Sequence, residues 1–255
     1  MTTNRSNGSL YTRIENKAAI IEFGHPASNS FVKELLERLT NEIYELSAND
    51  SVSVIVIKSE GDRAFCAGAS FDELLAISNL DEGTSFFSGF ANLISAMRNS
   101  KQPIIGRVQG KAVGGGVGLV AACDYVYACE SAAVRLSELA IGIGPFVIAP
   151  AVERKIGKSG LAELALAPTE WKNAFWAKEK GLFSKVFSNI KEMDKALDHH
   201  IHLLSQYNPN ALTELKRILW EGTPDWSNLL IERATISANL CLDEFTKETL
   251  SKLKK

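Results

Sequence analysis

Chemistry is most legible in the nine residues from Gly110 to Gly118, Gly-Lys-Ala-Val-Gly-Gly-Gly-Val-Gly, which separate an apolar run at 103–108 from a short helical pattern at 117–123. The start of a helix leaves its first N–H groups without intrahelical acceptors. Three consecutive glycines, Gly114, Gly115 and Gly116, strip side chains from that point, so a ligand oxygen can approach the backbone. The helix dipole adds positive potential there, which suits an anion or a developing oxyanion. Two rival uses of glycine fail on context. Gly116-Val-Gly118-Leu-Val-Ala121 matches the Gly-x-Gly-x-x-Ala dinucleotide fingerprint, with Glu138 at the distance of a ribose-binding acid. In that fingerprint, however, the glycines follow the strand directly and the acid ends the next strand. Here residues 109–113 intervene, the next strand ends near Cys129, and the helix between is short for a βαβ crossover. No Lys-Ser/Thr follows the final glycine, which excludes a Walker loop.

The elements that must position these residues form an α/β pattern. Strands are predicted at 10–15 and 18–23, turned at Asn16-Lys17, then a helix at 30–46 with Leu35, Leu36, Leu39 and Ile43 on one face. A β-branched strand at 52–58 leads through a Gly-containing loop, 60–70, to helical patterns at 71–78 and 84–98 and to the strand 103–108. A strand at 125–128 and a short apolar segment at 132–136 follow. Beyond Phe146 the pattern is helical, at 147–156, 160–166, 172–180, 191–206, 211–220, 226–240 and 242–253, with one strand-like piece at 185–187. The change to long amphipathic helices near residue 190 marks a boundary between an α/β body, 1–190, and a helical appendage, 191–255, whose spare apolar faces fit subunit contacts.

Bulk properties narrow the function. With 45% hydrophobic and 23% charged residues the chain is an ordinary globular one. A formal charge of −2, with basic residues scattered except for the tail 252–255, argues against nucleic acid. Cys66, Cys123, Cys129 and Cys241 include no Cys-x-x-Cys pair and read as reduced thiols in a cytoplasmic protein. Residues 1–9 are polar without an apolar signal region, and no stretch is long enough for a membrane span, so a soluble, unexported protein is expected.

Arg63-Ala-Phe-Cys-Ala-Gly-Ala69 and Gly110-Lys-Ala-Val-Gly-Gly-Gly-Val-Gly-Leu-Val-Ala-Ala-Cys-Asp124 together resemble the paired signature of the crotonase (enoyl-CoA hydratase/isomerase) superfamily. The resemblance continues through Leu136-Ser-Glu-Leu-Ala-Ile-Gly142, where the family has Pro-Glu-x-x-x-Gly, and through 174–187, like its Ala-x-x-x-Gly-Leu-Val stretch. The C-terminal end matches poorly, without the family's Glu-Gly and Lys-Arg-x-Pro pattern. The resemblance implies a crotonase-like (ClpP/crotonase) spiral of ββα units with a C-terminal helical region that packs homotrimers, often paired into homohexamers. It implies an acyl-CoA thioester as substrate, with no separate cofactor and no metal. Carried over position by position, it makes the N–H groups of Ala69 and Gly115 an oxyanion hole. It places substrate contacts at Ala64, Ala67, Gly68, Gly114, Gly118, Pro145 and Phe146, with coenzyme A near 25–27 and 64–69.

Hydratases of this family hold one water between two glutamates, the first placed two residues after the last of the three glycines; here that position is Gly118. The second matches Glu138, between Leu136 and Leu139, in an apolar setting that raises a carboxyl pKa toward that of a general base. One acid suffices to move a double bond, since it can take a proton from C2 of a β,γ-enoyl thioester and return it to C4. His25-Pro-Ala-Ser-Asn-Ser30 resembles the Asn-Pro-Pro-Val-Asn-Ser stretch of enoyl-CoA isomerases, and Ile141-Gly-Ile-Gly-Pro-Phe146 their Ile-Ile-Ala-Pro-Phe. The Pro-Gly-x-Gly-Gly run common in hydratases is absent. The expectation is an isomerase with Glu138 as its base. The alternatives are a hydratase for a short, branched or methylglutaconyl-type acyl chain, with a second acid from Asp72, Glu73 or elsewhere, and a non-catalytic acyl-CoA-binding or subunit-interaction protein.

Without the resemblance, Glu138 reads as a surface acid at a helix start. Asp124 reads as a residue making local backbone hydrogen bonds, and Ser70, Asp72 and Glu73 as a cap with N-terminal acids. His199 and His202 share a helix face but lack a third ligand at zinc-like spacing. Serine hydrolysis finds no Gly-x-Ser-x-Gly. Trp171, Trp176, Trp220 and Trp226 fall in helical apolar patterns, as packing residues do.

Overall fold

The computed structural model describes residues 5–253; residues 1–4 of the polar leading segment and 254–255 of the basic tail lie outside them. Strands β1 (Ser9–Glu15) and β2 (Ala18–Gly24) form a hairpin whose turn residues, Asn16 and Lys17, have φ of 51° and 65°, the left-handed turn that matches strand twist. Helix α1 (Lys33–Ala48) follows. Then come β3 (Val54–Ser59), β4 (Ala64–Cys66), α2 (Phe71–Ala76) and α3 (Leu80–Asn99). Next are β5 (Ile104–Val108), β6 (Lys111–Val113) and α4 (Gly115–Ala122). After these stand β7 (Tyr125–Cys129), β8 (Ala133–Arg135), a 3-10 helix (Glu138–Ile141) and α5 (Ala149–Ala165). The chain ends with β9 (Lys172–Asn173), α6 (Ala174–Glu179), β10 (Lys185–Phe187), α7 (Ile190–Gln206), α8 (Pro209–Leu219), α9 (Trp226–Cys241) and α10 (Glu244–Leu253).

Two sheets result, one ordered β1-β2-β3-β5-β7-β10 and one β4-β6-β8-β9. Each of β3, β5 and β7 is followed by a strand of the second sheet and then by a helix, which is the expected spiral of ββα units. β4 and β6 lie in segments that read in sequence as a loop and a glycine run, because three-residue strands are too short to show a period. The two helices expected at 147–156 and 160–166 follow one another through a single non-helical residue, Gly157 (φ 70°). The expected helix 172–180 begins as β9.

Period-two alternation sorts the large sheet's side chains onto two faces. Ala19, Ile21, Phe23, Ile55 and Ile57 enter the main core beneath α1, α3 and α4, whereas Ala18, Ile20, Val54 and Val56 meet Met193 and Leu197 of α7. On that outer face Arg107 makes a two-pronged ion pair with Asp194, at 2.8 and 2.9 Å. The later helices return to the body. α9 lies so close along α3 that a Cβ on Gly83 would stand 2.9 Å from Ala238, and Trp220, Trp226 and Leu230 share the main core. Asp124 does more than the local bonding expected of it. Its carboxylate accepts from the Ile104 N–H at 2.7 Å, Trp220 Nε1 at 2.7 Å and Lys216 Nζ at 2.6 Å, tying α8 to the sheet.

Candidate active site

The C-terminal ends of β4, β6 and β8 stand side by side, and the segments leaving them enclose a cavity of about 440 Å³. After β4 the chain turns at Gly68 (φ 89°), where a Cβ would lie 2.9 Å from the Val113 carbonyl oxygen and 3.5 Å from the Gly115 nitrogen. Only glycine lets the two segments approach so closely. Around this contact the backbone donors are almost all used. Phe31 N–H donates to the Gly68 carbonyl, Ser70 N–H to Phe31, Gly114 N–H to Arg135, and the Val117 and Gly118 N–H groups both to Gly114. Ala69 N–H and Gly115 N–H, which border the cavity, find no acceptor among the described residues. A side chain on Gly115 would overlap the Phe90 ring, so glycine is required there as well.

Glu138, the first residue of the 3-10 helix, borders the same cavity. Its Oε2 is buried with no hydrogen-bond partner among the described residues. A Cβ on Gly114 (φ 51°) would be 2.7 Å from its Oε1, so the glycine run also makes room for the carboxylate. Phe87, Phe90, Ile143, Val147 and Ile148 make the cavity largely apolar. Burial pushes the Glu138 carboxyl up to about 7, because the charged form loses water and only a hydrogen bond from its own backbone N–H works against that rise. A base in this range is half-ionised near neutrality, and two free donors border the same cavity.

Ala67, Gly68, Ala69, Gly114, Gly115, Glu138, Pro145 and Phe146 all border the cavity, as does Ala27 from the 25–27 segment. Ala64 and Gly118 do not. The Ala64 carbonyl instead accepts from Asn29 and Gln109. Gly118 is buried in α4 against Ile148: a Cβ there would collide with Ile148 Cγ2 and lie 2.7 Å from its Cβ. The place of a first glutamate is therefore filled with hydrocarbon. Nor do Asp72 and Glu73 supply an acid to the cavity. Asp72 is exposed and Glu73 accepts from the Lys33 N–H at 2.8 Å, so both act at the surface around α1 and α2.

Two residues of the site carry little signal in the sequence. Ile148 borders the cavity from a segment whose pattern is simply helical, and Arg135 borders it from β8. A charge inside the short apolar segment 132–136 is the available signal for Arg135. Trp171, expected to pack internally, is 38% exposed, with Arg135 and Lys111 both against its ring. Trp220 and Trp226 do pack in the core. His199 and His202 are exposed and His200 lies against Tyr125 and Tyr127; no group of three or more metal-ligating side chains occurs among the described residues. All four cysteines are free and buried, and burial pushes the Cys66 thiol up to about 12, which removes it as a nucleophile.

The chain belongs to the enoyl-CoA hydratase/isomerase family, whose model matches residues 13–251. It is 30% identical over 189 residues to the peroxisomal Delta(3,5)-Delta(2,4)-dienoyl-CoA isomerase of Arabidopsis thaliana, covering 68% of this chain and 66% of that one. It is also 30% identical over 210 residues to the 2,3-dehydroadipyl-CoA hydratase of Escherichia coli (strain K12), covering 80% and 79%. In fold it resembles the crystal structure of an enoyl-CoA hydratase from Bacillus halodurans, with a TM-score of 0.88 over 95% of this chain and 99% of the other, at 21% identity. Among the described residues no helix is long and apolar enough to cross a membrane.

Proposed function

We propose that the protein acts on acyl-CoA thioesters and moves a β,γ double bond to the α,β position, with Glu138 as the single proton carrier. The observation that carries this reading is one carboxylate with a buried, unpartnered oxygen and two free N–H groups bordering the same apolar cavity, while Ile148 fills the place of a second acid. The thioester oxygen accepts from Ala69 and Gly115. Glu138 takes a proton from C2, and the electron pair spreads into a dienolate whose oxygen the two donors hold. The same proton is returned to C4 as the double bond settles between C2 and C3, so the enzyme ends as it began. Each preplaced donor of this kind is worth about 3–4 kcal/mol to the transition state. Coenzyme A follows the segment after β4 and residues 25–27, and no further cofactor enters these steps. Apolar side chains left exposed on α8, among them Leu215, Ile218 and Leu219, support the expected homotrimer or homohexamer, which sedimentation equilibrium checks.

The deciding experiment follows 3-hexenoyl-CoA and crotonyl-CoA by NMR in deuterated water, with wild type and Glu138→Gln. Fast conversion of the first, dependent on Glu138, with little hydration of the second is expected. Rapid Glu138-dependent hydration of crotonyl-CoA without isomerisation overturns the reading in favour of a hydratase. Inertness toward both substrates favours a binding protein.

A further inference from the structure

We propose that Arg135 recognises an anionic group on the acyl chain, so that the thioesters this protein prefers carry a second, distal carboxylate. The inference rests on the acyl-CoA reading above and specifies its substrate. Glu138 and Arg135 are the two charged residues among those bordering the cavity. Arg135 Nε is buried with no hydrogen-bond partner among the described residues. Its place follows from the small sheet: β9 runs antiparallel to β8 with Lys172 opposite Val134, which sets Trp171 beside Arg135. The guanidinium carbon lies 4.5 Å from the centre of the indole ring, and Lys111 Nζ approaches the same ring at 4.7 Å. The stack fixes the guanidinium without neutralising it.

Among the described residues Glu138 makes no ion pair with Arg135, and the acids paired with Lys172, next to Trp171, are already engaged. Glu163 pairs with Lys172 at 3.3 Å and Lys180 at 3.6 Å, and Glu170 with Lys172 at 3.2 Å. Arg135 borders the cavity with an Nε that is out of contact with water and unpaired, and a carboxylate supplies the planar, two-oxygen partner that a guanidinium fork fits. The anion belongs to the acyl group rather than to coenzyme A for reasons of reach. The Arg135 carbonyl holds the Gly114 N–H at 2.9 Å, one residue from the oxyanion donor Gly115, and Arg135 precedes Glu138 by one turn of chain. A carboxylate a few carbons beyond the reacting bond falls in this cavity, whereas the whole pantetheine arm separates the thioester from the nearest phosphate.

Calorimetric binding of adipyl-CoA and hexanoyl-CoA, and of the phosphate-free adipyl- and hexanoyl-pantetheine thioesters, tests this. The saturated chains cannot isomerise, so the result stands independently of the reaction, which 3-hexenoyl-CoA tests separately. Wild type is expected to bind each adipyl ester about tenfold more tightly than its hexanoyl counterpart. Arg135→Gln should abolish that preference, with hexanoyl-CoA as the reference ligand for each variant, and Arg135→Lys should keep part of it. Equal wild-type affinities overturn the proposal, and this arm decides even if the Gln variant fails to fold. Equal weakening of both CoA esters by Arg135→Gln, with no effect on the pantetheine esters, also overturns it and moves the arginine's role to the phosphates.

Discussion

Asp124 and Glu138 are both carboxylates withdrawn from water, and they are held in opposite ways. Asp124, with 4% of its side chain exposed, takes three donors, one of them Lys216 with 2% exposed. Around this pair the Arg154 guanidinium sits 3.8 Å over Trp220, and Lys155 donates to the Asp124 carbonyl at 2.9 Å, its own pKa pulled down to about 8 by burial. Both carboxylate oxygens and the Asp124 carbonyl already accept hydrogen bonds, so the arrangement fastens α8 to the sheet. Glu138 has a lone oxygen, no cation and an elevated pKa. A buried acid left unsatisfied in a stable fold is a reservoir of reactivity, while one that is fully satisfied is a bolt.

The largest expected effect sharpens that contrast. Glu138→Gln should lower isomerisation of 3-hexenoyl-CoA by about a thousandfold or more, since proton transfer by a positioned group is commonly worth about 10²–10⁴. The variant should fold normally by circular dichroism. Asp124→Ala should do the reverse: it strands the buried Lys216 cation and should cost about 3–5 kcal/mol of unfolding free energy in urea titration. The folded fraction should keep its kcat for isomerisation. If Asp124→Ala abolishes turnover without loss of stability, the division of labour between the two acids fails.

The same contrast predicts two pH profiles of opposite slope. The Glu138 carboxyl is raised from 4.5 to about 7 in the folded chain. Between those values the folded state keeps a proton that the unfolded state has released, so this group's contribution makes stability fall as pH rises through the window. The total change is at most about 3 kcal/mol, since each pH unit between the two values contributes about 1.4 kcal/mol. Activity runs the other way, because the base must be unprotonated: kcat/KM should climb through about pH 7 and level off. Glu138→Gln should gain on wild type in unfolding free energy as pH is raised from 5 to 8. Parallel stability curves for the two proteins would show that the carboxyl is not held away from water.

What is legible in the sequence follows the distance over which each feature is built. The glycine run and its helix-start N–H groups are legible because backbone chemistry there is local, whereas Ala69 and Glu138 are legible only through the resemblance of contiguous motifs to the family, without which Glu138 reads as a surface acid. The binding of Asp124 to Lys216 and Trp220 spans 92 and 96 residues, so no local pattern announces it. β4 and β6 are invisible because a three-residue strand has no period, although they bring the segments after them together. Arg135 can be seen only as a charge in an apolar stretch, and its meaning depends on β9 setting Trp171 alongside. Gly118 gives half of its message: the missing acid is plain, but not that Ile148, thirty residues later, occupies the space.

That occupied space supports the smallest of these effects. Gly118→Glu alone does not restore a two-acid site, because the new side chain meets Ile148 at once. Overpacking of this kind costs about 1–3 kcal/mol, read as a lower urea midpoint, and the variant should hydrate crotonyl-CoA no faster than wild type. Adding Ile148→Ala removes the obstructing methyl groups and opens a path from α4 to the cavity that Ile148 now borders. The double variant should recover part of the lost stability and hydrate crotonyl-CoA measurably, since one water can then lie between Glu138 and the new carboxylate. Hydration by Gly118→Glu alone, at full wild-type stability, would mean that Ile148 swings aside freely, and the one-acid character would then lie in the single residue at 118 rather than in the packing around it.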